Sequence, residues 1–216
     1  PSKRIGTASR ITLNDIINFS KMLPRGLTRR LLGLVALCGS LLVFAGCASI
    51  PDTPHWPPSH ALSSEEVNST NLGKLLQPHA ASHPGESGFE LILNGESAFS
   101  TRAALADGAQ RTLDLQYYSV GDDLTTDLLL SRLARAAKRG VRVRVLLDDV
   151  HASARRFARR AIALDSTIQV RLFNPFRTDI STEILRWGEF LFDGPRLNRR
   201  MHNKLWLADN AVAITG

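Results

Sequence analysis

From Phe89 onward the chain alternates short runs of period-two hydrophobicity with longer runs of helical periodicity. This alternation constrains the fold more than any other feature. Strands separated by helices join one sheet through crossovers, which leave neighbouring strands parallel. FELILNG reads as a strand, and ESAFSTRAALADGAQ as a helix with Phe99, Ala103 and Leu105 on one face. TLDLQYYSV sets Leu113, Leu115 and Tyr117 against Asp114 and Gln116, the pattern of a half-buried strand. The next helix is expected over DDLTTDLLLSRLARAAKRG, with Leu124, Leu128, Leu129, Leu133 and Ala136 or Ala137 on its apolar stripe and Gly140 as its stop. VRVRVLLDDV is a strand with Val141, Val143 and Val145 on one face and Asp148 and Asp149 at its end. SARRFARRAIALD follows as a basic helix, and IQVRLFNPF as a strand stopped by Pro175. Residues 177–200 are weakly patterned, with a short helix expected around Ile184, Leu185 and Trp187. MHNKLWLAD and AVAITG then form a hairpin about the turn-prone pair Asp209–Asn210. The expected fold is α/β, a mixed, largely parallel sheet flanked by helices.

The residues before Phe89 differ in texture, and charge shows where the difference lies. Of the net charge of +7, the seven basic residues and one acid before Cys47 account for +6, and the 20 basic and 19 acidic residues from Cys47 onward leave +1. Basicity is therefore no argument for nucleic acid, and no such partner is expected. Arg25, Arg29 and Arg30 precede LLGLVALCGSLLVFAG, an apolar run of 16 residues closing on small residues before Cys47. That is the layout of an export signal, and it is shorter than the roughly 20 residues of a membrane-spanning helix. FAGCAS resembles a bacterial lipobox, with Phe44 where Leu, Val or Ile is usual. Cys47 is accordingly the expected lipidation site, anchoring the mature chain to a periplasm-facing membrane of the cell envelope. Cys38 would leave with the leader, so no internal disulfide is expected. Met22 stands directly before the leader, which makes residues 1–21 upstream of the expected start, residues 22–46 the signal peptide and residues 47–86 a Pro-rich extended tether. Residues 87–216 form the folded domain, and 44% hydrophobic residues in the whole chain are enough to give it a core.

The strand MHNKLWLAD carries the chemistry. Residues two apart on a strand face the same way, so His202 and Lys204 are expected to project together while Asn203 points away. An imidazole can serve as nucleophile or general acid and base near neutral pH, and a neighbouring ammonium can neutralise a phosphoryl oxygen as charge builds in a transition state. By residue chemistry alone an exposed strand with a turn-forming Asp209 is an equally good reading.

HNKLWLAD matches the HxKxxxxD motif of the phospholipase D superfamily, with Arg200–Met201 before it and ITG after it. ELILNGESAF, LDLQYYSVGDDLTTDLLLSRLARAAKRGVRVRVLLDD and VRLFNPF, in that order, resemble the N-terminal half of bacterial cardiolipin synthase-like members. The resemblance implies an active site between two such halves, one histidine attacking phosphorus and the other protonating the leaving alcohol, with no metal or other cofactor. By that analogy His202 is the nucleophile or its partner acid, Lys204 binds phosphoryl oxygens and Asp209 supports the motif through polar contacts. The family's motif continues beyond the glycine that matches Gly216. The resemblance therefore implies an incomplete N-terminal domain, inactive alone, whose second half belongs to a longer protein.

Other residues have plainer readings. Asp148 and Asp149 are read as capping or turn carboxylates in preference to metal ligands, and His151 as a loop residue. The arginines from Arg132 to Arg160, among them Arg155, Arg156, Arg159 and Arg160, are read as a solvated helix face in preference to a headgroup-binding patch, and Trp187 and Trp206 are open between a membrane interface and core or subunit packing. The expected activity is that of a phospholipase D-like phosphodiesterase or phosphatidyltransferase acting on phospholipids. A nuclease of the same superfamily and a noncatalytic membrane-tethered scaffold are the alternatives.

Overall fold

The computed structural model describes residues 56–177 and 183–216, with the isolated Gly33 before them. The start at Met22, the expected lipidation site Cys47 and, apart from Gly33, the expected signal peptide lie outside the described residues.

Eleven elements follow in order: α1 (Ser64–Ser69), α2 (Asn71–Ser82), α3 (Gly95–Gly108), β1 (Thr112–Tyr117), α4 (Leu124–Lys138), β2 (Arg142–Asp148), α5 (Ala152–Leu164), β3 (Gln169–Phe173), α6 (Glu183–Leu197), β4 (Lys204–Ala208) and β5 (Val212–Thr215). The strands form one sheet in the order β3-β2-β1-β4-β5. The helical crossovers α4 and α5 make β1, β2 and β3 parallel, and β4 returns antiparallel to β1. This is the expected mixed α/β sheet. It brings the C-terminal ends of β1 and β2 beside the start of β4.

The core lies on one sheet face. Leu113, Leu115, Val143, Val145, Leu147, Trp206 and Ala208 are buried there against Leu105 and Ala106 of α3, Leu130, Leu133 and Ala137 of α4, and Phe157 and Ala161 of α5. The buried stripe of α4 runs through Leu130, Leu133, Ala134 and Ala137, one face of a helix. Leu124 and Leu128, expected on that stripe, are exposed and lie outside the buried set of this helix. Gly140 follows the helix at φ +89°, the left-handed stop its position predicts.

Two expectations about the residues before α3 are corrected. FELILNG forms no strand: Phe89, Leu91 and Leu93 are 94%, 81% and 82% exposed, since alternation without a neighbouring ladder has nothing to pair with. The described part of the expected extended tether is largely helical and rests on the domain. Ser63 and Glu66 form a reciprocal capping box on α1, and the Thr70 hydroxyl accepts from the Gly73 N–H to cap α2. Gly73 lets these helices approach, because a Cβ there would lie 1.9 Å from the Val67 carbonyl oxygen. Arg144 reaches the Ser59 hydroxyl at 2.7 Å, and Asn71 N–H donates to the Gln110 side chain at 2.6 Å. Four of the segment's prolines precede Ser59 and only Pro78 and Pro84 follow, so proline density described only the beginning of the segment.

Candidate active site

Strand register decides what meets at the sheet end. Tyr117 pairs with Lys204, Leu115 with Trp206 and Leu113 with Ala208, so Lys204, Trp206 and Ala208 share the helix-covered face. Trp206 and Ala208 are buried, whereas Lys204 overhangs the core edge and is exposed. His202 stands just before the ladder and is also exposed. Its ring stacks on Tyr118, with centroids 4.3 Å apart and planes at 21°. Tyr118 in turn meets His151 edge-on at 6.1 Å. The ring cluster thus draws on the chain just after β1, just after β2 and just before β4. Sequence reasoning placed His151 in a loop and missed this cluster, since no linear spacing joins His151 to His202.

The backbone leading into His202 is clamped. Asp148, fully buried at the end of β2, accepts from the Arg200 guanidinium at 2.9 Å and from the Met201 N–H at 2.9 Å. Asn174, in the left-handed region at φ 43°, donates its amide to the Arg196 and Arg199 carbonyls at 2.7 and 2.8 Å. The neighbouring Asp149 faces a guanidinium fork from Arg155 at 3.0 and 2.6 Å, and accepts from the Phe176 N–H at 2.9 Å. These paired, desolvated carboxylates organise the loops behind His202. They match the structural reading of Asp148 and Asp149, and Asp148 gains a specific object, residues 200–201.

Asp209 is elsewhere. It lies five residues beyond Lys204 along β4, roughly 17 Å of extended chain. Fully buried, it accepts at one oxygen from the Arg111 and Thr112 N–H groups at 2.7 and 2.9 Å, and at the other from Gln110 N–H at 2.9 Å. The structure therefore brings His202 and Lys204 to one end of the strand and fastens the other end to the α3–β1 loop through Asp209. In this geometry Asp209 holds the motif strand through its contacts with the α3–β1 loop.

The arginines of the basic helix are also engaged. Arg156 pairs with Asp122, Arg160 with Asp127 and Arg155 with Asp149, while Arg132 of α4 pairs with Asp107. The Arg156 guanidinium beside Asp122 holds that carboxyl below its ordinary range. Internal acids, Asp149 after β2 together with Asp122 and Asp127 before and on α4, are what these arginines meet. Trp206 is core, and Trp187 is 64% exposed. Among the described residues, no helix is long and apolar enough to cross a membrane.

Residues 103–216, just over half of the chain and including His202, Lys204 and Asp209, match the family model described as cardiolipin synthase, PLD-like domain. The chain belongs to this family. It is 43% identical over 145 residues to cardiolipin synthase C of Escherichia coli strain K12, covering 67% of this chain and 30% of that protein. It is 32% identical over 177 residues to an uncharacterized protein of Helicobacter pylori strain J99, covering 82% of this chain and 34% of the relative. The chain thus spans about a third of the length of these relatives. A solved structure of TrmBL2, an archaeal chromatin protein, aligns over 48% of this chain and 41% of its own with 19% identity and a TM-score of 0.32, too low to carry an argument. Family membership agrees with the expected PLD-like fold. What the sheet end offers chemically is an exposed imidazole beside an exposed ammonium on a clamped backbone.

Proposed function

We propose that this domain supplies one half of a phospholipid phosphodiester site, with His202 and Lys204 as its reacting and phosphate-binding residues. The observation that carries this reading is their joint exposure at the strand ends, on a backbone held by Asp148. Ligand sites of open α/β sheets lie at the C-terminal ends of the parallel strands, and that is where both residues stand. The greater length of the relatives supports a second half of the same kind, with its own histidine.

In the proposed reaction one histidine nitrogen attacks phosphorus, a P–N bond forms and the P–O bond to the leaving alcohol breaks. The other histidine gives its proton to the departing alkoxide. Lys204 offsets the negative charge gathering on the phosphoryl oxygens. Water or a lipid hydroxyl then loses its proton to the second histidine and attacks phosphorus, forming a P–O bond as the P–N bond breaks and frees the first histidine. Water gives hydrolysis, and the glycerol hydroxyl of a second phosphatidylglycerol gives cardiolipin. We place the mature protein on the periplasmic side of the envelope through an acylated Cys47; Cys47→Ala is expected to release it from membrane fractions, and retention there would contradict the anchor.

The activity is tested by incubating the full-length protein with phosphatidylglycerol vesicles and resolving products. Cardiolipin with free glycerol identifies transfer, and phosphatidic acid with free glycerol identifies hydrolysis. Vesicles recovered unchanged would contradict the proposal.

A further inference from the structure

Helix α6 turns its polar side inward and its apolar side outward. On the inner side, the buried Arg186 reaches the Asp149 carbonyl and lies over the Phe176 ring at 4.1 Å. Glu189 accepts from the Arg177 N–H at 2.9 Å, and Arg196 donates to the Asn174 side chain at 2.8 Å and to the Pro175 carbonyl at 3.0 Å. On the outer side, Trp187, Phe190 and Leu191, spaced i, i+3 and i+4 along one helix face, are 64%, 39% and 82% exposed. Phe192, just before the kink at Asp193, is 94% exposed. A surface helix ordinarily buries its apolar stripe, so an outward stripe of large side chains marks an interaction surface.

The inner contacts fix where the helix lies. Asp149 follows β2, and Asn174, Pro175 and Arg177 follow β3, so α6 is laid across the C-terminal ends of these parallel strands. His202 and Lys204 stand at the same end of the sheet. A second exposed apolar segment reaches it too. Gln110, just past the end of α3, donates its N–H to Asp209, whereas Arg102, about two turns earlier, bonds the hydroxyl of Tyr117, the partner of Lys204, at 2.9 Å. The start of α3 is therefore at the His202 end, and the exposed Phe89, Leu91 and Leu93 lead into it.

We propose that this edge of the domain docks on an anionic phospholipid bilayer, with the outer face of α6 as the inserting element. The exposed side chains stand out from the surface, Leu191 and Phe192 most of all, and a fluid interface closes around such projections without a matching socket. Trp and Phe suit the boundary between headgroups and acyl chains. Charge fits as well: Arg177 and Arg199, exposed before and after the helix, offer cations to anionic headgroups, while the helix acids Glu189 and Asp193 pair with Arg196. The contact is reversible on its own, and in a chain tethered through Cys47 it turns the His202 edge toward the lipid. Docking stands apart from the phosphodiester reading; only its consequence for turnover rests on that reading.

Full-length protein carrying Cys47→Ala lacks the acyl tether, and the fluorescence lost on adding Trp187→Phe isolates the signal of Trp187. Without vesicles, aqueous acrylamide is expected to quench that signal. With excess phosphatidylglycerol vesicles, acrylamide quenching is expected to fall about threefold, and vesicles with brominated acyl chains to quench instead. A Trp187 signal already shielded without vesicles, by the rest of the chain or by a second copy, overturns the proposal, as does one equally open to acrylamide with and without them. Turnover by the tethered full-length protein gives a second readout. Trp187→Ser combined with Leu191→Ser and Phe192→Ser is expected to lower kcat/KM for vesicle phosphatidylglycerol about tenfold, and to leave bis(p-nitrophenyl) phosphate within about twofold. Undiminished lipid turnover, or an equal loss on both substrates, overturns docking through α6 while the phosphodiester reading stands. If the wild-type protein turns over neither substrate, the phosphodiester reading fails and the fluorescence result alone decides the docking.

Discussion

Asp148 and Asp209 are fully buried carboxylates that hold opposite ends of the motif strand. Asp148 holds residues 200–201, immediately before His202. Asp148→Asn weakens that clamp without emptying the site, and a slack of an ångström in a reacting group lowers kcat by about 10²-fold. The expected result is a large fall in kcat with KM little changed, measured on the full-length enzyme. Asp148→Ala leaves the half-buried Arg200 guanidinium without its carboxylate and is expected to cost about 3 kcal/mol in a denaturation curve. Asp209→Asn sets an amide donor against the Gln110, Arg111 and Thr112 N–H groups, and is expected to lower stability by about 1–3 kcal/mol while sparing turnover per folded molecule. Motif spacing marked all three residues of His202, Lys204 and Asp209 as one set. It could not separate them, because spacing along a strand does not reveal which end of the sheet each residue reaches. Tyr118 and His151 were invisible for the converse reason: their neighbourhood with His202 exists only through the pairing of β1 with both β2 and β4.

At the scale of elements, the strands and helices from α3 to β5 were legible wherever hydrophobic period and punctuation agreed. Gly140 ended α4 and Pro175 followed β3, as their backbone preferences require. The hairpin between β4 and β5 was legible in Asp209–Asn210, whose φ angles of 51° and 52° are the left-handed values that Asn and Asp tolerate. Asn210→Val forces a β-branched side chain into that region and is expected to lower stability by about 1–2 kcal/mol, read by chemical denaturation, whereas Asn210→Gly keeps the turn. FELILNG failed as a strand because alternation states what a strand's faces would be, and does not provide an edge to pair with. The helices over residues 64–82 were hidden behind the preceding prolines, although their caps, Ser63 with Glu66 and then Thr70, stand in the sequence. The cap of α4 also carries a pH signature. The Thr125 hydroxyl and then the Thr126 N–H hold the Asp123 carboxyl below its ordinary value. Its contribution is therefore complete above the unfolded carboxylate range and is lost as pH falls through the lower folded value. Acid titration of the amide signals of α4 should show its first turn loosening at that lower pH, and in Asp123→Ala the acid-dependent step should vanish.

At the scale of the molecule, the sheet order puts three chain segments at one edge: the ends of β1 and β2 and the beginning of β4. The exposed pair His202 and Lys204 and the clamp from Asp148 sit there. Net charge was a poor guide at this scale, since most of the +7 lies before Cys47 and the arginines of α5 pair with acids of the same domain. What the family and the fold together support is a phosphodiester half-site built on one sheet end. The most direct test is phospholipid turnover by the full-length protein carrying His202→Asn, assayed beside wild type with the melting temperature of both. The account predicts turnover at the uncatalysed background with an unchanged melting temperature, because His202 is exposed and stacks on Tyr118 without supporting the core. Wild-type turnover by His202→Asn would contradict it.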